Sequence, residues 1–234
     1  MTSLDPNLER IEVVATALGP LREQLVFVGG CAAGLLISDP AATPIRATLD
    51  VDLVVHVTVL SEYHRVEEEF AKLGFKRDMT AEAPICRWVY RNNEVDLMPT
   101  DESILGFANR WYPFAMETAQ NFSLPSGTAI RLISAPAFVG TKFEAFSNRG
   151  DGDLLASHDL EDILNVVAGR DQLVDEIAQS PSDLRAYLAE RCGELLAMTD
   201  FEYYLPGLVQ DNDSPAWKSD LVLERLHALV ELGS

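Results

Sequence analysis

The chain has 234 residues, 47% of them hydrophobic and 24% charged, which is enough to bury a substantial core and excludes an intrinsically disordered chain. A formal net charge of -19 disfavours broad nonspecific attraction to a phosphate backbone, because that affinity comes mainly from Lys and Arg. Three scattered cysteines, Cys31, Cys86 and Cys192, with no CxxC pair, exclude a disulfide framework and a thiolate metal site.

The acidic N-terminus carries no apolar signal segment and no later apolar run reaches bilayer length, so the expectation is a cytoplasmic protein with no membrane contact. Asp5-Pro6 reads as an N-cap followed by proline at the first helical position, and Ile11, Val14, Leu18 and Leu21 then recur at helical spacing. Leu25 to Val28 is a short buried strand that stops at Gly29-Gly30, after which Cys31 to Ile37 continues as a helix. A loop with Pro40 and Pro44 leads to a β-branched strand over 49 to 57, despite the two acids Asp50 and Asp52 within it. A helix follows over 61 to 73, and strands at 85 to 90 and 94 to 98 flank Asn92-Asn93 as a hairpin turn. This half therefore falls in the α/β or α+β class.

After Gly127 the pattern changes. Ser134-Ala-Pro136 starts a helix running towards Arg149, and further helices are expected at 158 to 168, 182 to 198 and 216 to 232, punctuated by Gly169, Pro181 and Pro215. The boundary is set near 133, giving domains 1–133 and 134–234. Asp151 and Asp153 lack the other ligands of a calcium loop and read as a solvated turn.

The chemistry centres on Asp50-Val51-Asp52. The strand period of two sends both carboxylates to one face, while Val51 and Leu53 point to the other. Two anions in a hydrophobic strand are costly unless something positive compensates, and a hard divalent cation such as Mg2+, or Mn2+ in its place, meets that need. Asp96, in Glu94-Val95-Asp96-Leu97, completes a candidate triad on a strand able to lie beside the first. Two ions about 3.5–4 Å apart among such acids would activate an attacking oxygen and steady a leaving group. The Gly29-Gly30-Cys31 turn offers backbone N–H groups and a helix N-terminus to phosphate. A glycine pair after a strand is an ordinary turn by itself, and it becomes informative when DxD follows.

Phe27-Val28-Gly29-Gly30 followed by Arg46-Ala47-Thr48-Leu49-Asp50-Val51-Asp52-Leu53 resembles the core of DNA polymerase beta-like nucleotidyltransferases, and particularly the AbiEii/AbiGii toxin family. Lys142 to Arg149, then His158 to Asp162, match that family's lysine helix and second acidic motif in order, so the resemblance spans about residues 25 to 168. It implies an α+β fold: a mixed-sheet nucleotidyltransferase domain with flanking helices and a helical C-terminal lobe, the nucleotide lying between them. It also implies transfer of a nucleoside monophosphate from a nucleoside triphosphate to an acceptor hydroxyl, on an RNA end (a transfer RNA) or a protein, by a toxin with an antitoxin partner. A small-molecule acceptor, as in antibiotic nucleotidyltransferases, is the alternative enzyme, and a nonenzymatic nucleotide-sensing module is the alternative of another class.

The resemblance makes Asp50, Asp52 and Asp96 metal ligands and catalytic residues, with Lys142 and Asp159 beside them. Gly29, Gly30, Cys31, Arg46, Thr48, Lys142 and Arg149 become the nucleotide-binding set. Lys142 and Arg149 are two helical turns apart, so one face can direct both cations to the acids. Asp159 and Asp162 share a face and suit a base, a partner that orients Lys142, or a helix N-terminus needing acids. Arg46 suits either a phosphate contact or an ion pair that locks its loop. Cys31 stands where many relatives carry Ser or Thr, and the stretch from Gly30 to Asp50 is longer than in most.

Overall fold

The computed structural model describes residues 5–39, 42, 45–149, 154–210 and 217–233, with the side chain of Arg149 excluded. The expectations placed on Pro40, Pro44, Asp151, Asp153, Pro215 and the Arg149 side chain therefore lie outside the described part. Among the described residues no helix is long and apolar enough to cross a membrane.

The chain opens with α1 (Leu8–Leu18). It begins two residues later than the sequence indicates, because the Asp5 carboxylate accepts the Asn7 N–H at 2.8 Å and caps a turn before the helix. Next come β1 (Leu25–Val28), α2 (Gly29–Leu36), β2 (Asp50–Val55), α3 (Leu60–Lys72) and β3 (Lys76–Arg77). The glycine pair belongs to the first turn of α2 and does not precede it. The hairpin β4 (Arg87–Tyr90) and β5 (Asn93–Pro99) turns on Arg91 and Asn92, so Asn93 is in the strand. The elements α4 (Glu102–Leu105), α5 (Tyr112–Thr118), β6 (Gln120–Ser123) and β7 (Ala129–Leu132) were not anticipated. The helices α6 (Ala135–Arg149), α7 (His158–Gly169), α8 (Leu173–Ala178), α9 (Ser182–Ala197), α10 (Phe201–Leu208) and α11 (Trp217–Glu231) complete the described chain.

Among the described residues seven strands form one mixed sheet in the order β3-β4-β5-β2-β1-β7-β6. The fold is α+β, with helices flanking the sheet and a helical C-terminal part. Central β1 is buried at all four positions, as expected of a strand covered on both faces. β1 runs antiparallel to β2, and β2 runs parallel to β5 in the register Val51↔Val95, Asp52↔Asp96, Leu53↔Leu97. That register gives the central sheet two chemically different faces. Val51, Leu53, Val95 and Leu97 are fully buried on one, where Trp88 opposes Val95 and packs against Phe70 of α3, the rings tilted with centroids 5.6 Å apart. The other face carries Asp50, Asp52, Glu94 and Asp96.

Helix α2 follows β1 directly and packs against β2, α6 and α7, which brings the helical part up to the acidic face.

Candidate active site

The acids converge because neighbouring strands hold them in step. With Asp52 opposite Asp96 and Asp50 opposite Glu94, the pleat turns all four carboxylates to the same side. One ligand oxygen each from Asp50, Asp52 and Asp96 lies within 4.8 Å of the others. Hard oxygen donors at that spacing suit Mg2+ or Mn2+ bound by few protein ligands, with the rest of the shell left to water and phosphate. The chemistry of the donor set fits the metal that the resemblance implies.

Gly29 belongs to this cluster through Asp52. Its φ is +71°, and a Cβ added there would lie 1.7 Å from Asp52 Oδ2. The carboxylate therefore rests against the bare backbone at the start of α2. Gly30 faces the opposite way, where a Cβ would come within 3.0 to 3.1 Å of Asp162 Oδ2, Thr48 Cγ2 and Arg46 Nη2. The N-terminal turn of α2 thus sits between the triad and a second charged group.

That second group is an ion-pair cluster. Lys142 of α6 donates to Asp159 Oδ1 at 2.9 Å and meets Asp162 Oδ2 at 2.7 Å, all three residues being buried. Asp162 also faces Arg46 Nη2 at 3.4 Å, and Arg46 Nε lies 3.9 Å from Glu161. Burial pulls the Lys142 pKa down, but Asp162 and Asp159 more than offset it, so the ammonium is held above its ordinary value. Arg46 thus makes an ion pair that holds its loop against α7. Asp159 partners Lys142, while Asp162, nearer the core, is shared by both cations.

Two members of the expected nucleotide-binding set turn inward. Cys31 is fully buried, its Sγ donates to the Val28 carbonyl at 3.3 Å, and burial drives its pKa far upward, so only its backbone remains to meet phosphate. Thr48 is buried too. Its N–H donates to Asn7 Oδ1 at 2.8 Å and its hydroxyl donates to the Asp50 carbonyl at 3.2 Å, which ties the DxD strand to the start of α1.

The residue that sequence reasoning missed is Arg87. It stands directly opposite Asp96 on β4. Its Nε donates to Asp96 Oδ1 at 2.9 Å and its Nη2 to Asp96 Oδ2 at 2.8 Å, a two-pronged pair, while Nη1 reaches Glu94 at 2.5 Å and Nη2 approaches Asp50 at 3.4 Å. Hydrogen bonding to Asp96 is the chief cause of its raised pKa. The positive charge demanded by acids in a strand is thus met in part by the protein itself. The hairpin register carried the signal, since a turn at Arg91-Asn92 sets Arg87 against Asp96.

With this geometry in view, comparison with solved structures is decisive for the fold. A nucleotidyltransferase-like antigenic protein from Paracoccidioides brasiliensis superposes with a TM-score of 0.52 at 19% identity, covering 94% of each chain. The chain has a nucleotidyltransferase-like fold. Two Helicobacter pylori structures, a candidate nucleotidyltransferase and JHP933, align over 100% of this chain and 97% and 95% of theirs, at TM-scores of 0.45 and 0.43 and identities of 12% and 10%. No family model and no curated protein matches the sequence. Within a nucleotidyltransferase-like fold, a strand-borne group of three aspartates beside a glycine-led helix start marks the candidate active site.

Proposed function

We propose that the chain is a metal-dependent nucleotidyltransferase that moves a nucleoside monophosphate from a nucleoside triphosphate to an acceptor hydroxyl. The observation that carries this reading is the gathering of Asp50, Asp52 and Asp96 within 4.8 Å beside the N-terminus of α2. Asp50 and Asp52 would hold two Mg2+ ions and Asp96 one of them; when bound, these ions offset phosphate charge and sharpen the acceptor oxygen as a nucleophile. The acceptor oxygen forms a bond to the α-phosphorus, the bond from that phosphorus to the bridging oxygen breaks, and pyrophosphate leaves with the electron pair. Asp96 would also draw the acceptor proton. The backbone N–H groups of Gly29, Gly30 and Cys31, at the positive end of α2, would meet the phosphates. Lys142 is balanced by Asp159 and Asp162 and would reach phosphate by exchanging one of those carboxylates for it, with Arg149 further along the same helix.

The order of motifs supports an AbiEii/AbiGii-like toxin that modifies a transfer RNA end or a protein hydroxyl and is countered by an antitoxin. The charge of -19 favours a compact acceptor contact over a long nucleic-acid track. A small-molecule acceptor satisfies the same site chemistry. Arg87 favours one second reading, a nonenzymatic nucleotide-sensing module, because a guanidinium already relieves part of the repulsion among the acids.

Incubating each labelled nucleoside triphosphate with cell extract and either wild type or Asp52→Ala tests these together. Label should enter one macromolecular fraction with wild type, vanish with EDTA, and be absent with Asp52→Ala, whose circular dichroism stays unchanged. Nucleotide binding with no label transfer and no pyrophosphate from any of the four would reject the enzyme and favour the sensor.

A further inference from the structure

The guanidinium of Arg87 sits among the carboxylates that would hold metal. Its two-pronged bond commits one lone pair on each Asp96 oxygen, and its other contacts go to Asp50 and Glu94. A fixed charge at that spot opposes a divalent cation seeking the same oxygens, since like charges a few ångströms apart repel strongly where water is partly excluded. Sheet pairing fixes the Arg87 backbone opposite Asp96, so only the side chain can yield. It has somewhere to go. Glu94 lies two residues back along β5 on the same face as Asp96, its side chain is 38% exposed, and it already accepts from Arg87 Nη1. The arginine side chain itself is 18% exposed, at the solvent edge of the cluster.

We infer that Arg87 is a displaceable internal counter-ion of the metal site: it neutralises Asp96 in the metal-free protein and retires onto Glu94 when a divalent ion takes the carboxylate. This rests on the reading of the triad as a metal site. Its consequence is that the free protein binds metal weakly at Asp96, and the site fills when a nucleotide brings phosphate ligands and negative charge of its own. Arg87 is a positioning residue, acting on the metal through Asp96.

The test is Mn2+ binding to nucleotide-free protein, followed by electron paramagnetic resonance of the unbound ion, with thermal midpoints in EDTA and in Mn2+. Arg87→Gln should bind Mn2+ on the order of tenfold more tightly than wild type, the change expected from removing one nearby charge in a partly solvated site. Its midpoint in EDTA should fall, and Mn2+ should raise it by more than it raises the wild type. Arg87→Lys keeps the charge but not the planar fork and should lie between the two, which also covers failure of the glutamine variant to fold. Wild type binding Mn2+ with both variants equal to it or weaker would overturn the inference while leaving the metal site standing. No Mn2+ binding by any of the three proteins, with or without nucleoside triphosphate, would instead remove the metal-site reading itself.

Discussion

Gly29 is where backbone conformation and site geometry make the same demand. A left-handed φ of +71° excludes most side chains at a cost of about 1–2 kcal/mol. The 1.7 Å approach of an added Cβ to Asp52 Oδ2 would also push that carboxylate out of the triad. Gly29→Ala should therefore lower the thermal midpoint and weaken Mn2+ binding together. Gly19→Ala is the control, because its φ is +53° but nothing lies within 4 Å of the added atom, so only stability should fall. Equal Mn2+ affinity in both variants would show that Gly29 does not support Asp52. In the sequence the glycine pair reads as a phosphate turn. Its need to admit Asp52 depends on β1 pairing with β2 so that Val28 faces Asp52, and no local pattern reveals that contact.

Two helices of the C-terminal part are joined at the site by one buried cation. Lys142 on α6 bridges Asp159 and Asp162 on α7, and removing it leaves both carboxylates in a place with little water. Lys142→Met should cost up to about 3–5 kcal/mol, read as a lower urea midpoint, since removing one partner of a buried pair is strongly destabilising and Arg46 still offsets part of the charge on Asp162. The pH dependence follows from the raised lysine pKa. A cationic group held above its unfolded value contributes stability that is complete below the ordinary lysine range, about 10.5, and lost only as pH climbs through the higher folded value. The gap between wild type and Lys142→Met should therefore be flat from about pH 6 to 9 and narrow only in strong alkali. A gap that closed near neutrality would contradict the charged pair. At this scale the helices that carry Lys142 and Asp159 were legible in the sequence, whereas the position of Arg87 was lost through the hairpin. Placing the turn at Asn92-Asn93 sets Val89 opposite Asp96, and moving it back one residue brings in the arginine.

The whole molecule shows which features local pattern can and cannot deliver. Helices α7, α9 and α11 begin and end close to the expected residues because apolar spacing agrees with flanking Gly or Pro and, at α7, with the Ser157 cap. Strands β6 and β7 escaped notice; β6, Gln120–Ser123, is a polar edge strand with little buried surface. The strand order that places β2 between β1 and β5 is a long-range outcome, and the triad exists only through it. Electrostatics is the other molecular property, and it yields a last test. A net charge of -19 repels itself, and the four-carboxylate face concentrates that repulsion. Salt shortens the reach of such forces, with a Debye length of about 10 Å at 0.1 M, so NaCl should raise the thermal midpoint smoothly by general screening. A divalent ion that binds the folded triad adds a separate term, because ligand binding to the native state alone shifts unfolding by mass action. At matched ionic strength MgCl2 should therefore stabilise wild type more than NaCl, and that excess should shrink in Asp52→Ala while the NaCl response stays the same. An equal magnesium excess in both proteins would place the divalent effect on the general acidic surface and away from Asp50, Asp52 and Asp96.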